Sequence, residues 1–117
     1  MNTIEHESIL DDLVHQVIGC SYEVSNTLGV GFLEKIYERA LLRELTIRGL
    51  SVASQVPFPV SYKGHCIGEY VADLVVENRV IVELKCVDYL RASHLRLALL
   101  INFQKPKVEW KRIICSQ

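Results

Sequence analysis

No stretch of this 117-residue chain approaches the ~20 consecutive apolar residues that a membrane-spanning helix needs. The longest candidate, Leu97 to Phe103, is interrupted by Asn102, so no membrane association is expected. The 4 cysteines, Cys20, Cys66, Cys86 and Cys115, never form a CxxC or CxxH pair, and separations of 46, 20 and 29 residues exclude the usual zinc spacings. Each stands in an apolar stretch and is expected to be a small core hydrophobe. Lys and Arg are missing from Met1 to Asp12, which carries Glu5, Glu7, Asp11 and Asp12. That is the reverse of a secretory or organellar leader, and a cytoplasmic protein is expected. Internal repeats and low-complexity segments are also lacking. With 50% hydrophobic residues the chain is too apolar for disorder, and residues 1–117 are expected to form one domain with a shallow or shared site.

The charge is present but unevenly placed. Residues 1–84 carry 12 acids against 6 bases, whereas residues 85–117 carry 2 acids against 7 bases. The asymmetry points to an anionic partner; a solvated basic segment that keeps a sheet edge soluble is the alternative.

Apolar residues between Ile4 and Leu28, among them Ile9, Leu10, Leu13, Val17 and Ile18, recur at helical spacing. Leu28-Gly29 supplies a C-terminal cap, and a second helix is predicted from Phe32 to about Arg48, ended by Gly49. The period then changes to two. Val52 to Tyr62 reads as a strand that Pro57 and Pro59 confine to an edge. Two further β runs, 66–76 and 80–86, flank the polar turn Glu77-Asn78-Arg79. Leu97–Phe103 and Trp110–Cys115 complete an α/β (α+β) class: two N-terminal helices and a mixed central sheet of about five strands.

Three charged residues sit where strands avoid them: Asp73 within Tyr70–Val76, and Glu83 with Lys85 in the most apolar run. Paired as a hairpin, the two runs bring Asp73 and Glu83 within about one register step, and Glu83 and Lys85 share a face. Clustered carboxylates repel, and the usual relief is a cation with oxygen ligands and retained waters, Mg²⁺ or Mn²⁺ rather than Zn²⁺. A simple ion pair of Lys85 with Asp73 or Glu83 at a sheet end is the structural alternative.

The order of motifs carries a resemblance. Gly31-Phe32-Leu33-Glu34-Lys35-Ile36-Tyr37 reads G-x-x-E-x-x-Y and is followed by Gln55 to Gly64, Ala72-Asp73-Leu74-Val75 and Val82-Glu83-Leu84-Lys85. From about Leu13 to Ile114 the chain resembles the bacterial and archaeal GxxExxY family of the PD-(D/E)XK nuclease-like superfamily. The resemblance implies a restriction-endonuclease-like core: helix, three-stranded meander, crossover helix and further strand, with the first helix an addition. It also implies a catalytic set of Glu34, Asp73, Glu83 and Lys85. Asp73 and Glu83 would hold Mg²⁺ or Mn²⁺, Glu34 would bind it directly or through water, and Lys85 would position the attacking water. Glu34 also occupies a position where a carboxylate favours a helix start. Tyr37, on the apolar side of its helix, is expected to pack in the core.

The sequence departs from the family after Lys85. Members continue past a His into a long amphipathic helix with a Gln, whereas here Arg91-Ala92-Ser93-His94 runs almost at once into Leu95–Phe103. The crossover helix is expected to be shortened or missing, because about ten residues are fewer than a right-handed crossover needs. Leu97–Phe103 would then pair differently, leave an apolar sheet face open, or bury it in a homodimer or domain-swapped oligomer. Arg91, His94, Arg96 and Lys105 are candidates for contacting phosphate, and Trp110, the only tryptophan, is expected to pack at a sheet edge rather than stack on a base. The function implied is a metal-dependent hydrolase acting on nucleic-acid phosphodiesters, with DNA binding. The alternative is a catalytically inactive module that keeps the nuclease fold for binding or assembly.

Overall fold

The computed structural model describes residues 3–84, 97–103 and 107–114. Helix α1 (Thr3–Leu28) and helix α2 (Glu34–Ile47) precede five strands: β1 (Val52–Tyr62), β2 (His65–Val76), β3 (Val80–Glu83), β4 (Leu97–Asn102) and β5 (Glu109–Ile114). Along α1, Leu13, Val14, Val17, Ile18 and Val24 are buried at the three-and-four spacing that defines one helix face. The helix stops at Gly29, whose left-handed φ of 71° closes the last turn as its N–H donates to Ser25 O at 2.8 Å. Tyr37, Leu41 and Leu45 form the buried face of α2, and Glu34 places negative charge in its first turn.

Two tight turns build the meander. Lys63 and Gly64 (φ 48° and 81°) connect Tyr62 to its partner His65. Glu77 and Asn78, both at φ 53°, connect β2 to β3, with Arg79 N–H donating to Val76 O at 3.0 Å. Positive φ at both central positions gives the turn handedness that matches the twist of the strands. The Glu77 carboxylate also accepts the Ser51 N–H at 2.6 Å, tying this turn to the start of β1.

The sheet order is β1-β2-β3-β4-β5, so the proline-bearing β1 is an edge, as its sequence requires. β3 and β4 pair in parallel; all other neighbours are antiparallel. The α/β class and the mixed five-stranded sheet are therefore as expected. Leu74, Val76, Val80, Val82, Leu97, Leu99 and Ile101 pack with both helices into the main core. Ala72, Val75, Ile81 and Ala98 form a second cluster with Val56 and Phe58 against it.

Three expectations need correction. β3 ends at Glu83 rather than near Cys86, which leaves residues 84–96 between β3 and β4. Thirteen residues suffice for the parallel crossover that the shorter count made doubtful, and β4 pairs with β3 in the register Val80↔Leu97. Whether a helix lies in that connection falls outside the described residues. The second sheet face is not open: Val75, Ile81 and Ala98 are buried within the single chain. Finally, Cys20 is buried as expected, but Cys66 is exposed beside the Lys63-Gly64 turn. Cys86 and Cys115 lie outside the described residues.

Candidate metal and catalytic site

The site begins at an irregularity in the β1–β2 ladder. Ser54 pairs with Leu74 and Val56 with Ala72, but Gln55 and Asp73 between them are not paired. One residue is left out on each strand, so the register survives while the local geometry changes. Gln55 has a left-handed φ of 53°, a strained conformation for a non-glycine residue inside a strand. Ala72 and Leu74, two apart, belong to different buried clusters, so the normal alternation is broken at Asp73.

Asp73 is thereby released from the ladder. Its Oδ2 accepts the Leu84 N–H at 2.9 Å, at the point where β3 ends. Continuing the register Leu74↔Val82 by one step sets Asp73 opposite Glu83. The two carboxyl groups interact directly, and they shift in opposite directions. Burial, the interaction with the Asp73 carboxylate as a hydrogen-bond acceptor and repulsion from its charge push Glu83 up to about 9. Burial alone would raise Asp73 too. Hydrogen bonds from Glu83, from the Leu84 N–H and from Glu38 and Gln55 outweigh it and hold Asp73 below the usual carboxylate range. At neutral pH the pair is one carboxylate and one carboxylic acid. Glu83 is only 1% exposed, and its Oε2 has no hydrogen-bond partner among the described residues. A buried orphan oxygen of this kind costs stability.

A third acid joins them from α2, and it is Glu38. Gln55 Nε2 donates to both Glu38 carboxylate oxygens at 3.1 Å, and Lys35 Nζ donates to Oε2 at 3.0 Å. The strained backbone at Gln55 thus serves to hold Glu38 over the end of β2. Glu38 is 6% exposed, buried more deeply than any exposed helix face would allow. Sequence reasoning missed both residues. The only signal for Glu38 is its position one turn beyond Glu34.

Glu34 itself lines a small cavity of about 20 Å³ with Tyr37, Leu84, Ile101, Asn102 and Phe103. It therefore stands beside Leu84, at the carboxyl end of β3. The N-cap residue of its helix, Leu33, makes no side-chain cap bond. Tyr37 packs in the core, as expected, its ring stacked on Phe103 at 4.9 Å and 4°. Its hydroxyl donates to Gly29 O at 2.6 Å and accepts the Phe32 N–H at 3.3 Å. The tyrosine of the G-x-x-E-x-x-Y motif fastens the loop that starts α2, and so fixes the helix carrying Glu34 and Glu38. Lys85, Arg91, His94, Arg96 and Lys105 lie outside the described residues.

Among the described residues, no three His, Cys, Asp or Glu side chains are grouped to hold a metal ion. The described donors amount to the Asp73–Glu83 pair, and that suffices for Mg²⁺, which is usually held by one or two carboxylates with waters and substrate phosphate oxygens. Glu83 Oε2, without a hydrogen-bond partner among the described residues, is a hard oxygen donor, and the pair fits such an ion.

A family model of the PD-(D/E)XK nuclease superfamily matches residues 11–113. The chain belongs to that superfamily. No curated protein and no solved structure matches it significantly. No helix is long and apolar enough to cross a membrane.

Proposed function

We propose that residues 1–117 act as a single metal-dependent nuclease domain, of the GxxExxY kind, that hydrolyses nucleic-acid phosphodiester bonds. The observation that supports this best is the buried, interacting pair of Asp73 and Glu83, with Asp73 released from the β1–β2 ladder and Glu83 at the last position of β3. A structural ion pair would satisfy both carboxyl groups, whereas Glu83 Oε2 has no hydrogen-bond partner among the described residues.

Mg²⁺ or Mn²⁺ bound there would supply Lewis-acid polarisation of a phosphate and lower the pKa of a water. This chain's residues do the rest. Asp73 is already ionised and anchored by the Leu84 N–H. Glu83 must surrender its proton to become a ligand. Glu34, which lines a cavity with Leu84, would receive a ligand water, and Glu38 with Gln55 would hold Asp73 in position. Lys85, two positions beyond Glu83, would orient the attacking water and offset charge developing at phosphorus. Arg91, His94, Arg96 and Lys105 would contact the phosphate backbone. Glu109 is the last acid in the chain and Asp88 the only other one after Glu83, so the segment following the site suits a polyanion.

The test is cleavage of single- and double-stranded DNA and RNA in Mg²⁺ or Mn²⁺ by the parent protein, Asp73→Ala and Lys85→Ala. Activity in the parent that falls at least 100-fold in both variants supports the proposal. Equal cleavage in all three overturns the site assignment, and no cleavage in any leaves the domain a binding or assembly module.

A further inference from the structure

The two flanks of helix α2 carry charge differently. On one, Arg48 Nε donates to Glu44 Oε2 at 3.0 Å, and the Arg48 guanidinium lies against Gly19 of α1. On the other, Glu38 meets Gln55 of β1. Lys35, Arg39 and Arg43 recur every four residues, so they start beside Glu38 on this second flank and turn toward solvent. All three are exposed. Each step advances about 6 Å along the helix, comparable to the spacing of successive phosphates along one nucleic-acid strand. Lys35 is paired with Glu38 at 3.0 Å, whereas Arg39 and Arg43 make no ion pair among the described residues. The neighbouring strand adds no opposing charge, because no Asp or Glu occurs from Leu50 to Gly68.

From this arrangement we infer that Lys35, Arg39 and Arg43 form a track for the phosphate backbone of a nucleic acid, leading away from the carboxylate site along α2. This deepens the proposed function and rests on it for the position of the scissile phosphate. The track starts where the site starts: Lys35 donates to Glu38, whose carboxylate is held by Gln55 and reaches Asp73. No acid stands three or four residues from either arginine. Instead the like charges of Lys35, Arg39 and Arg43 repel along the helix, and an anion bound across them relieves that repulsion. A guanidinium group donates two parallel N–H bonds to one oxyanion, which suits phosphate. The even spacing favours a chain of phosphates over a single one. Because the contacts go to the backbone, single strands and duplexes are both held, and base sequence is not read.

The test is the salt dependence of binding. A dye-labelled single-stranded oligonucleotide and its duplex are titrated by anisotropy from about 50 to 200 mM KCl, with chelator present to prevent cleavage. Combining Arg39→Gln with Arg43→Gln removes two phosphate contacts. The steepness of log K against log[KCl] should fall by about 1.4 for the single strand and about 1.8 for the duplex, with binding weakened about 10- to 50-fold near 0.1 M salt. The pair Arg39→Lys and Arg43→Lys keeps both charges and should retain most of the slope, which a merely structural role would not require. Arg48→Gln, on the α1 flank, should leave the slope unchanged. No binding by the parent, an unaltered slope in the double glutamine variant, or an equal loss in Arg48→Gln would each overturn the inference. So would displacement of the oligonucleotide by polyglutamate as readily as by unlabelled oligonucleotide, which would assign the track to an acidic protein. Cleavage in Mg²⁺ separates this from the catalytic reading. A slope that changes without cleavage keeps the track and loses the nuclease; cleavage with an unaltered slope does the reverse.

Discussion

The same sheet buries two regions of opposite character. Under the helices, Leu41, Leu45, Leu74, Val82 and Leu99 are fully covered and carry no polar side-chain atom. Toward the end of β2 and β3, the sheet buries Glu83 almost as completely, with an oxygen that lacks a partner among the described residues. The first region lowers the free energy of the folded chain. The second raises it: a strained Gln55, a raised Glu83 and an unpaired oxygen are each individually unfavourable. Such features persist when the surrounding structure over-determines them, and they concentrate where chemistry is done.

The largest effect expected on this contrast comes from the apolar side. Leu41→Ala should destabilise the domain by about 2–5 kcal/mol in denaturant unfolding, by loss of burial and by the cavity left behind. Mn²⁺ affinity in the native state should be unchanged, because Leu41 touches the core and not the carboxylates. Equal loss of metal affinity would mean the two regions are one.

Glu83→Gln should act in the opposite sense. In the metal-free folded state Glu83 keeps its proton up to about pH 9, whereas in the unfolded chain it releases it near 4.5. Between those values the folded state binds one more proton than the unfolded state, so stability falls as pH rises across that window. The glutamine cannot ionise. It should flatten that decline and, at pH 8, make the protein about 1–3 kcal/mol more stable, with metal binding abolished. A melting temperature of the parent that is level from pH 5 to 9 would remove the buried-acid account. Asp73 works on the other side: its lowered pKa contributes stability above the usual carboxylate range that is lost as pH falls below it.

Smaller effects come from the fastenings around the two regions. Tyr37→Phe removes the hydroxyl that bonds Gly29 and Phe32 while keeping the stack on Phe103. A loss of about 1 kcal/mol is expected in thermal unfolding. Asp11→Ala breaks the 3.0 Å pair with Arg112 that links α1 to β5. Both partners are substantially exposed, so unfolding should change by less than about 0.5 kcal/mol.

Most of the fold was legible because its signals are local. The 3.6-residue spacing of Leu13, Val17 and Ile18, the alternation after Gly49, the prolines of β1 and the polar turn at Glu77-Asn78 each act within a few residues. So did the pairing of Asp73 with Glu83, which follows from where one hairpin turns. The crossover length was undercounted because β3 ends early, at Glu83; the next N–H, that of Leu84, goes to the Asp73 side chain instead of a strand. No local pattern announces that substitution. Glu38 and Gln55 escaped for a related reason: their contact spans 17 residues and depends on a left-handed backbone at a residue type that seldom adopts it. Cys66 looked like a core residue because its neighbours are apolar, but β2 outruns β3, and its first half pairs only with the edge strand β1.

The central claim is that Asp73 and Glu83 are an interacting pair, one ionised and one protonated, held ready for a divalent cation. Calorimetric titration of Mn²⁺ at pH 7, repeated in buffers of different ionisation enthalpy, counts the protons released on binding. About one proton per Mn²⁺ is predicted for the parent, with binding lost in both Asp73→Ala and Glu83→Gln. Mn²⁺ binding without proton release, or binding that survives Asp73→Ala intact, would contradict the claim.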